Sequence, residues 1–225
     1  MKEKKMKSIA VILSGCGYLD GAEIRESVAT LWALSQHDVG VKIFAPDEPQ
    51  TIVMNHFTGK ATGETRNILA EAARIARGKI EPLTSMPDHD YDALIMPGGF
   101  GVAKNLCTFA ADGAAGKILY KELQNEISAM HSDGRPIGAI CIAPALIGLA
   151  LKGRRLELTL GADGSEAEEI RKLGHTHFIT KPNEIHIDAN NKIVTTPAYM
   201  YDDAPINEVF EGIKKLVDEV MEMTK

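Results

Sequence analysis

Aromatic side chains are scarce: one tryptophan, five tyrosines and six phenylalanines, 5% of 225 residues. Positive charge is not in excess either, with 25 Lys and Arg against 31 Asp and Glu and a formal net charge of −6. A nucleic-acid partner asks for a basic stripe to meet phosphates and aromatic faces to stack bases. Neither is present, and none is expected to bind. No apolar run is long enough to span a bilayer, so no membrane partner is expected. The apolar run Ile9 to Leu13, behind the charged opening Met1 to Lys7, is too short for a signal-peptide core. Cysteine is limited to Cys16, Cys107 and Cys141, which form no CxxC pair and cannot all pair with one another. A reducing cytoplasm is the expected compartment. What remains is an ordinary globular composition, 44% hydrophobic and 25% charged, with enough apolar mass for a core. The length suits one domain over residues 1–225.

Strand and helix patterns alternate along the chain. Ser8 to Leu13 is a short β-branched run of the kind buried in a parallel sheet. Ile24, Val28, Leu31 and Trp32 recur at helical spacing within Ala22 to His37. A second strand is expected over Val39 to Ala45, a helix over Glu64 to Arg77, and a third strand at Ala93 to Met96. Leu119, Leu123, Ile127 and Met130 mark another helix, Pro136 to Ile140 a strand, and Pro144 to Leu151 a helix with proline in its first turn. Leu156 to Leu160 reads as a strand, and Ser165 to Glu168 as a capping box. Glu184 to Asp188 and Lys192 to Thr196 read as a hairpin, and Ile206 to Val220 as the cleanest helical stripe. Asn55 to Gly63 fits neither a strand nor a helix and is expected at the mouth of the site or at a contact between copies. The alternation predicts an α/β fold: a mostly parallel sheet with helices on both faces and a small β-hairpin elaboration. Ligands then bind beyond the carboxyl ends of the strands.

Three motifs fall at those ends. Ser14 to Glu23 is rich in glycine, which permits close backbone approach. It lacks the Gly-Lys-Ser/Thr of a phosphate loop and the spacing of a dinucleotide fingerprint. Gly15 is the substrate-binding backbone candidate here. Glu23 is either an acid favouring a helix N-terminus or a proton donor or base at the strand ends. In Pro97-Gly-Gly-Phe-Gly101, the N–H groups around Gly98 and Gly99 are free to hold an anion or oxyanion. In Ile137-Gly-Ala-Ile-Cys-Ile-Ala-Pro144, a strand runs straight into Cys141 and a helix follows. That layout is either a core cysteine or a nucleophile elbow, in which the helix N-terminus favours thiolate.

Together these motifs resemble the PfpI-like branch of the class I glutamine amidotransferase-like superfamily, and within it the ElbB-type proteins described as glyoxalases or isoprenoid-biosynthesis proteins. The resemblance covers nearly the whole chain. It rests on Val11-Ile-Leu-Ser-Gly-Cys-Gly17, Asp20-Gly-Ala-Glu23, Phe44-Ala-Pro46, Asn55-His56, Thr65-Arg-Asn67, Pro97-Gly-Gly-Phe-Gly101, Ala103-Lys-Asn-Leu106, Cys141-Ile-Ala-Pro144 and Ile193-Val-Thr-Thr-Pro-Ala-Tyr-Met200. It implies a flavodoxin-like three-layer sandwich, Cys141 as nucleophile, Glu23 beside the thiol as acid/base, and N–H groups near Gly99 and Ile142 facing the substrate oxygen. The activity implied is conversion of methylglyoxal or glyoxal, a small dicarbonyl substrate, to lactate or glycolate through a cysteine hemithioacetal. That chemistry uses no cofactor and no metal. A homodimer is also implied.

Some residues depart from the family pattern. Many PfpI-like proteins have a histidine directly after the cysteine, where this chain has Ile142. His175, His177 and His186 are not followed two residues later by glutamate, which argues against glutamine hydrolysis and against a protease. Any histidine partner must be brought in by the fold; His177, opening a probable strand, is preferred, with a packing role open. A thiol-based redox or stress sensor without significant turnover is the alternative function. Cys16 is a candidate to resolve an oxidised Cys141, or a structural residue. Lys104 is a candidate contact for an anionic substrate.

Overall fold

The structure is a computed structural model and describes residues 6–88 and 90–225. In chain order the elements are β1 (Lys7–Ile12), α1 (Ile24–Leu34), β2 (Val39–Ala45), β3 (Met54–Asn55), β4 (Lys60–Ala61), α2 (Ile68–Ile75), β5 (Glu81–Pro82) and β6 (Ala93–Met96). They continue with α3 (Phe109–Asp112), α4 (Lys121–Ser132), β7 (Ile137–Ile140), α5 (Ala143–Ala150), β8 (Glu157–Leu158), α6 (Ser165–Lys172), β9 (Thr176–His177), β10 (His186–Asp188), β11 (Ile193–Thr196) and α7 (Ile206–Met223).

Seven strands form the main sheet in the order β10-β11-β7-β6-β1-β2-β5. Every pairing is parallel except β10 on β11. The central strands β6 and β7 are buried at every position, as a parallel sheet covered on both faces demands. The fold is therefore the flavodoxin-like layered sheet expected, and the expected hairpin is β10–β11, whose second strand is also the parallel neighbour of β7. From β1 the chain moves outward to β2 and β5, then returns to place β6 on the other side of β1. That reversal makes the crevice between β1 and β6 the topological switch point. The three motifs follow β1, β6 and β7, which are adjacent, so the sheet order gathers them at one end.

Two local expectations are corrected, and the phase of one helix is a further finding. The segment 55–63 is a tight hairpin, β3 on β4, not an irregular loop. Its His56 lies against Leu19 and the Asp20 carboxylate. The hairpin thus braces the loop after β1. Ser165 is not an N-cap: Gly164 occupies that position without a side-chain bond, and the Ser165 hydroxyl donates to Glu166. In α1 the buried residues are Glu26, Ser27, Ala29, Thr30, Ala33 and Leu34, while Ile24, Val28 and Trp32 are each nearly half exposed. The helix turns Ile24, Val28 and Trp32 outward, because its first turn lies close on the glycine turn, where Glu26 accepts from Gly98 N–H; the one large apolar residue it buries fully, Leu34, sits at its far end.

Candidate active site

Cys141 follows β7 directly and has φ of +60°. A left-handed conformation at a residue with a side chain is strained. It is held by the bond from Cys141 N–H to the Thr196 carbonyl, 2.9 Å, and by α5 starting at Ala143. The result has the strand–turn–helix geometry of a nucleophile elbow, with a thiol that is almost wholly buried.

The carboxyl against that thiol belongs to Glu26, which is within hydrogen-bond reach of the sulfur. Gly98 N–H donates to Glu26 Oε2 at 2.9 Å, and Tyr199 N–H donates to Oε1 at 3.2 Å. Glu26 is fully buried, and burial followed by the charge of Glu23 raises its pKa to about 8. Burial and then the Glu26 charge push the Cys141 thiol upward, while N–H groups of Gly99 and Ile142 pull it down. A protonated Glu26 removes the opposing charge and donates toward the sulfur. Near neutrality burial therefore leaves both groups protonated, with two backbone donors placed to stabilise a Cys141 thiolate once it forms.

Each expected site residue has a definite place. Glu23 is the N-cap of α1; its Oε2 accepts from Glu26 N–H at 2.6 Å, so it is bound to its own helix and acts on Glu26 through charge. The position beside the thiol assigned to Glu23 is filled by Glu26, one turn further on, whose side chain faces the sheet. Gly98 is required: a Cβ there would lie 2.4 Å from Cys141 Cβ. Gly99 has φ of +93°, and its N–H and that of Ile142 are the donors at the sulfur. Gly15 has Gly21 and the Gln50 side chain as nearest neighbours and shapes the first loop instead of meeting the thiol.

His177 is not poised as a base. Its ring is buried, and Nε2 accepts from Leu160 N–H at 3.1 Å. Nδ1 points to Asp163 at 3.4 Å, and burial lowers the pKa. With Nε2 occupied, the ring holds the short β8–β9 sheet. The charges acting on Cys16 are those of Glu71, Arg74 and Asp20, not Glu26, and burial raises its pKa. Lys104 donates to the Leu19 carbonyl and sits 5.0 Å from the centre of the Phe100 ring, so it clasps the first loop. Among the described residues no cluster of three His, Cys, Asp or Glu could hold a metal.

No protein-family model matches the chain. Curated proteins do. Over 226 residues it is 45% identical to the human glutamine amidotransferase-like class 1 domain-containing protein 3, mitochondrial, with 96% of this chain and 83% of that protein aligned. It is 32% identical over 235 residues to the ES1 protein, mitochondrial, of Danio rerio, covering 96% and 86%. The expectation of a cytoplasmic protein is overturned here, since these relatives are mitochondrial proteins. A low cysteine count marks reducing conditions without separating one such compartment from another.

Among solved structures, an isoprenoid biosynthesis protein with an amidotransferase-like domain from Ehrlichia chaffeensis superposes with a TM-score of 0.90 at 36% identity, covering 97% of this chain and all of that one. Glyoxalase III from Candida albicans superposes with a TM-score of 0.63 at 14% identity over 97% of both chains, a likeness of fold alone. The identity and coverage shared with the human and Danio rerio proteins place this chain in the ES1 family of class I glutamine amidotransferase-like domain proteins.

Proposed function

We propose that the protein is a cofactor-independent glyoxalase acting on α-oxoaldehydes, with Cys141 as nucleophile and Glu26 as acid/base. The observation that carries this reading is the buried Glu26 carboxyl against the Cys141 thiol, protonated near neutrality and faced by the Gly99 and Ile142 N–H groups. The thiolate adds to the aldehyde carbon, and the former carbonyl oxygen takes the proton of Glu26, giving a hemithioacetal. Glu26 carboxylate then removes the hydrogen of that carbon as a proton, an enediol forms, and the proton returns to the neighbouring carbon. The product is a thioester of the 2-hydroxy acid. Water breaks its C–S bond and releases the acid and the thiol. One carbon is oxidised by two electrons while its neighbour is reduced by two, so no external oxidant enters. The two N–H groups stabilise oxygen charge as it develops. Lactate formation from methylglyoxal by the purified protein tests this; Cys141→Ala is expected to abolish it, and retained activity in that variant overturns the reading.

The same pair also supports the second reading, a thiol sensor, because the Gly99 and Ile142 N–H groups favour the thiolate, the form that peroxide attacks. Intact mass after mild peroxide separates the two. Oxygen added selectively at Cys141 without aldehyde turnover supports sensing, and turnover without selective oxidation removes it.

For assembly we propose a homodimer through α1. Ile24, Val28 and Trp32 repeat every fourth residue on its outer side, and Trp32 continues into an apolar groove with Ile206 and Phe210. Such a row is self-complementary across a two-fold axis. Trp32→Glu is expected to convert a dimer to a monomer in light scattering; a wild-type monomer at micromolar concentration refutes the assembly.

A further inference from the structure

This inference rests on the α-oxoaldehyde reading and concerns which of those substrates the site takes. A cavity of about 280 Å3 adjoins the elbow. Ile142, next to the nucleophile, and Phe100, next to Gly99, tie it to the reacting centre. Phe109 and Ala110 line it as well, and Glu166 and Glu169 supply carboxylates. At about 30 Å3 for a water-sized group, methylglyoxal, with its formyl, carbonyl and methyl groups, leaves most of this space unfilled. Its two phenyl rings and Ile142 offer the unfilled part an apolar wall for a substituent of the substrate.

The charges point the same way. Glu169 accepts from Lys172 and from Ala114 N–H at 2.7 Å, which hold its carboxyl below the ordinary range and so ionised. Glu166 takes its hydrogen bond from the Ser165 hydroxyl. Lys104, the cation beside Phe100, is committed to the Leu19 carbonyl. An anionic substituent entering the cavity would meet carboxylate oxygens and aromatic faces. We propose that this cavity selects uncharged α-oxoaldehydes carrying a bulky apolar or aromatic group, in preference to methylglyoxal and to carboxylated dicarbonyls.

The test compares kcat/KM of the wild-type protein for phenylglyoxal, methylglyoxal and 4,5-dioxopentanoate. Phenylglyoxal is expected to exceed methylglyoxal by about tenfold or more, the discrimination of an apolar pocket for added hydrocarbon. The carboxylated substrate is expected to be the poorest. Ala110 is exposed, so Ala110→Trp fills the cavity with little demand on the core. It is expected to reduce the phenylglyoxal-to-methylglyoxal ratio at least fivefold. Equal wild-type values, or an unchanged ratio in the variant, overturn the inference while leaving the glyoxalase reading in place. If no aldehyde turns over, that reading fails, and the cavity is tested by calorimetry with 2-hydroxyacetophenone, an unreactive neutral aryl ketone. Binding weakened by Ala110→Trp then supports the apolar site, and no binding to wild type overturns it.

Discussion

Replacing Glu26 by glutamine should change how stability depends on pH, and the size of the effect follows from the site. The carboxyl titrates near 8 when folded against 4.5 ordinarily, because burial and the neighbouring Glu23 disfavour its charge. Between those values the native state holds a proton that the unfolded chain has released. Stability contributed by this group is therefore intact below about 4.5 and falls as pH rises toward 8. At roughly 1.4 kcal/mol per pH unit the loss is on the order of 5 kcal/mol, with no discount for screening since the group is fully buried. Glutamine cannot ionise and abolishes the decline. It also replaces one acceptor by an amide: both Glu26 oxygens accept backbone N–H groups, from Gly98 and Tyr199, and an NH2 opposite either leaves a buried donor unpaired. That costs about 1–3 kcal/mol at every pH. The two effects have opposite sign, so the stability curves should cross. The variant is expected to be weaker at pH 5 and stronger by a few kcal/mol at pH 8.5. Urea denaturation across that range measures it, with the m-value checked for constancy. Parallel pH profiles for wild type and variant would refute the buried, raised carboxyl.

Other substitutions separate the remaining roles. Glu23→Gln keeps an acceptor for Glu26 N–H but removes the charge, so the Glu26 titration, followed by carboxyl carbon NMR, should move to lower pH; an unmoved titration argues against the coupling. Gly98→Ala places a methyl 2.4 Å from Cys141 Cβ and 2.8 Å from Glu26 Oε2, and should cost about 1–3 kcal/mol of stability together with most of the Cys141 alkylation rate. Wild-type reactivity in that variant would contradict the packing of the turn on the elbow. His177→Ala should lower stability by about 1–3 kcal/mol by orphaning Leu160 N–H, with aldehyde turnover retained; a loss of turnover in a folded protein would restore the histidine to the chemistry.

Much of the fold is legible in the sequence because its central strands are continuous apolar runs ending in glycine or cysteine. Ala93–Met96 matches its expected bounds, since a strand buried on both faces has no polar residue to blur its limits, and Val39–Ala45 matches because Pro46 closes it, although Val41 is exposed and Lys42 lies within it. The short outer elements were harder to read. The pair Met54–Asn55 and Lys60–Ala61 is held by two residues on each side and by contacts of His56 with the first loop, a tertiary signal that no local pattern carries. Similarly, the Ser165 to Glu168 pattern fits a capping box, yet the helix begins one residue earlier in register and leaves Ser165 inside it.

The place of the acid and the phase of α1 have one origin. The helical spacing of Ile24, Val28 and Trp32 marks one side of α1, and Glu26 lies a third of a turn or more away from each. Glu23 is a candidate for chemistry by its place at the strand ends and by the family resemblance. The structure rotates the helix: Glu26, Ala29, Thr30 and Ala33 face inward at spacings of three and four. Between Glu26 and the buried Leu34 at the far end of the helix this inner row holds only small residues, so the first turns can approach the turn at Gly98 and Gly99 closely enough for two backbone N–H groups to reach one carboxylate and one thiol. A charged residue in phase with small ones, on a helix whose bulky residues occupy the opposite side, was the available signal. It marks a helix packed by close approach and hydrogen bonds on one side and left with an apolar row on the other. The demand for a short distance between Glu26 and Cys141 and the outward display of Trp32 therefore have the same origin, the rotation of α1 about its own axis.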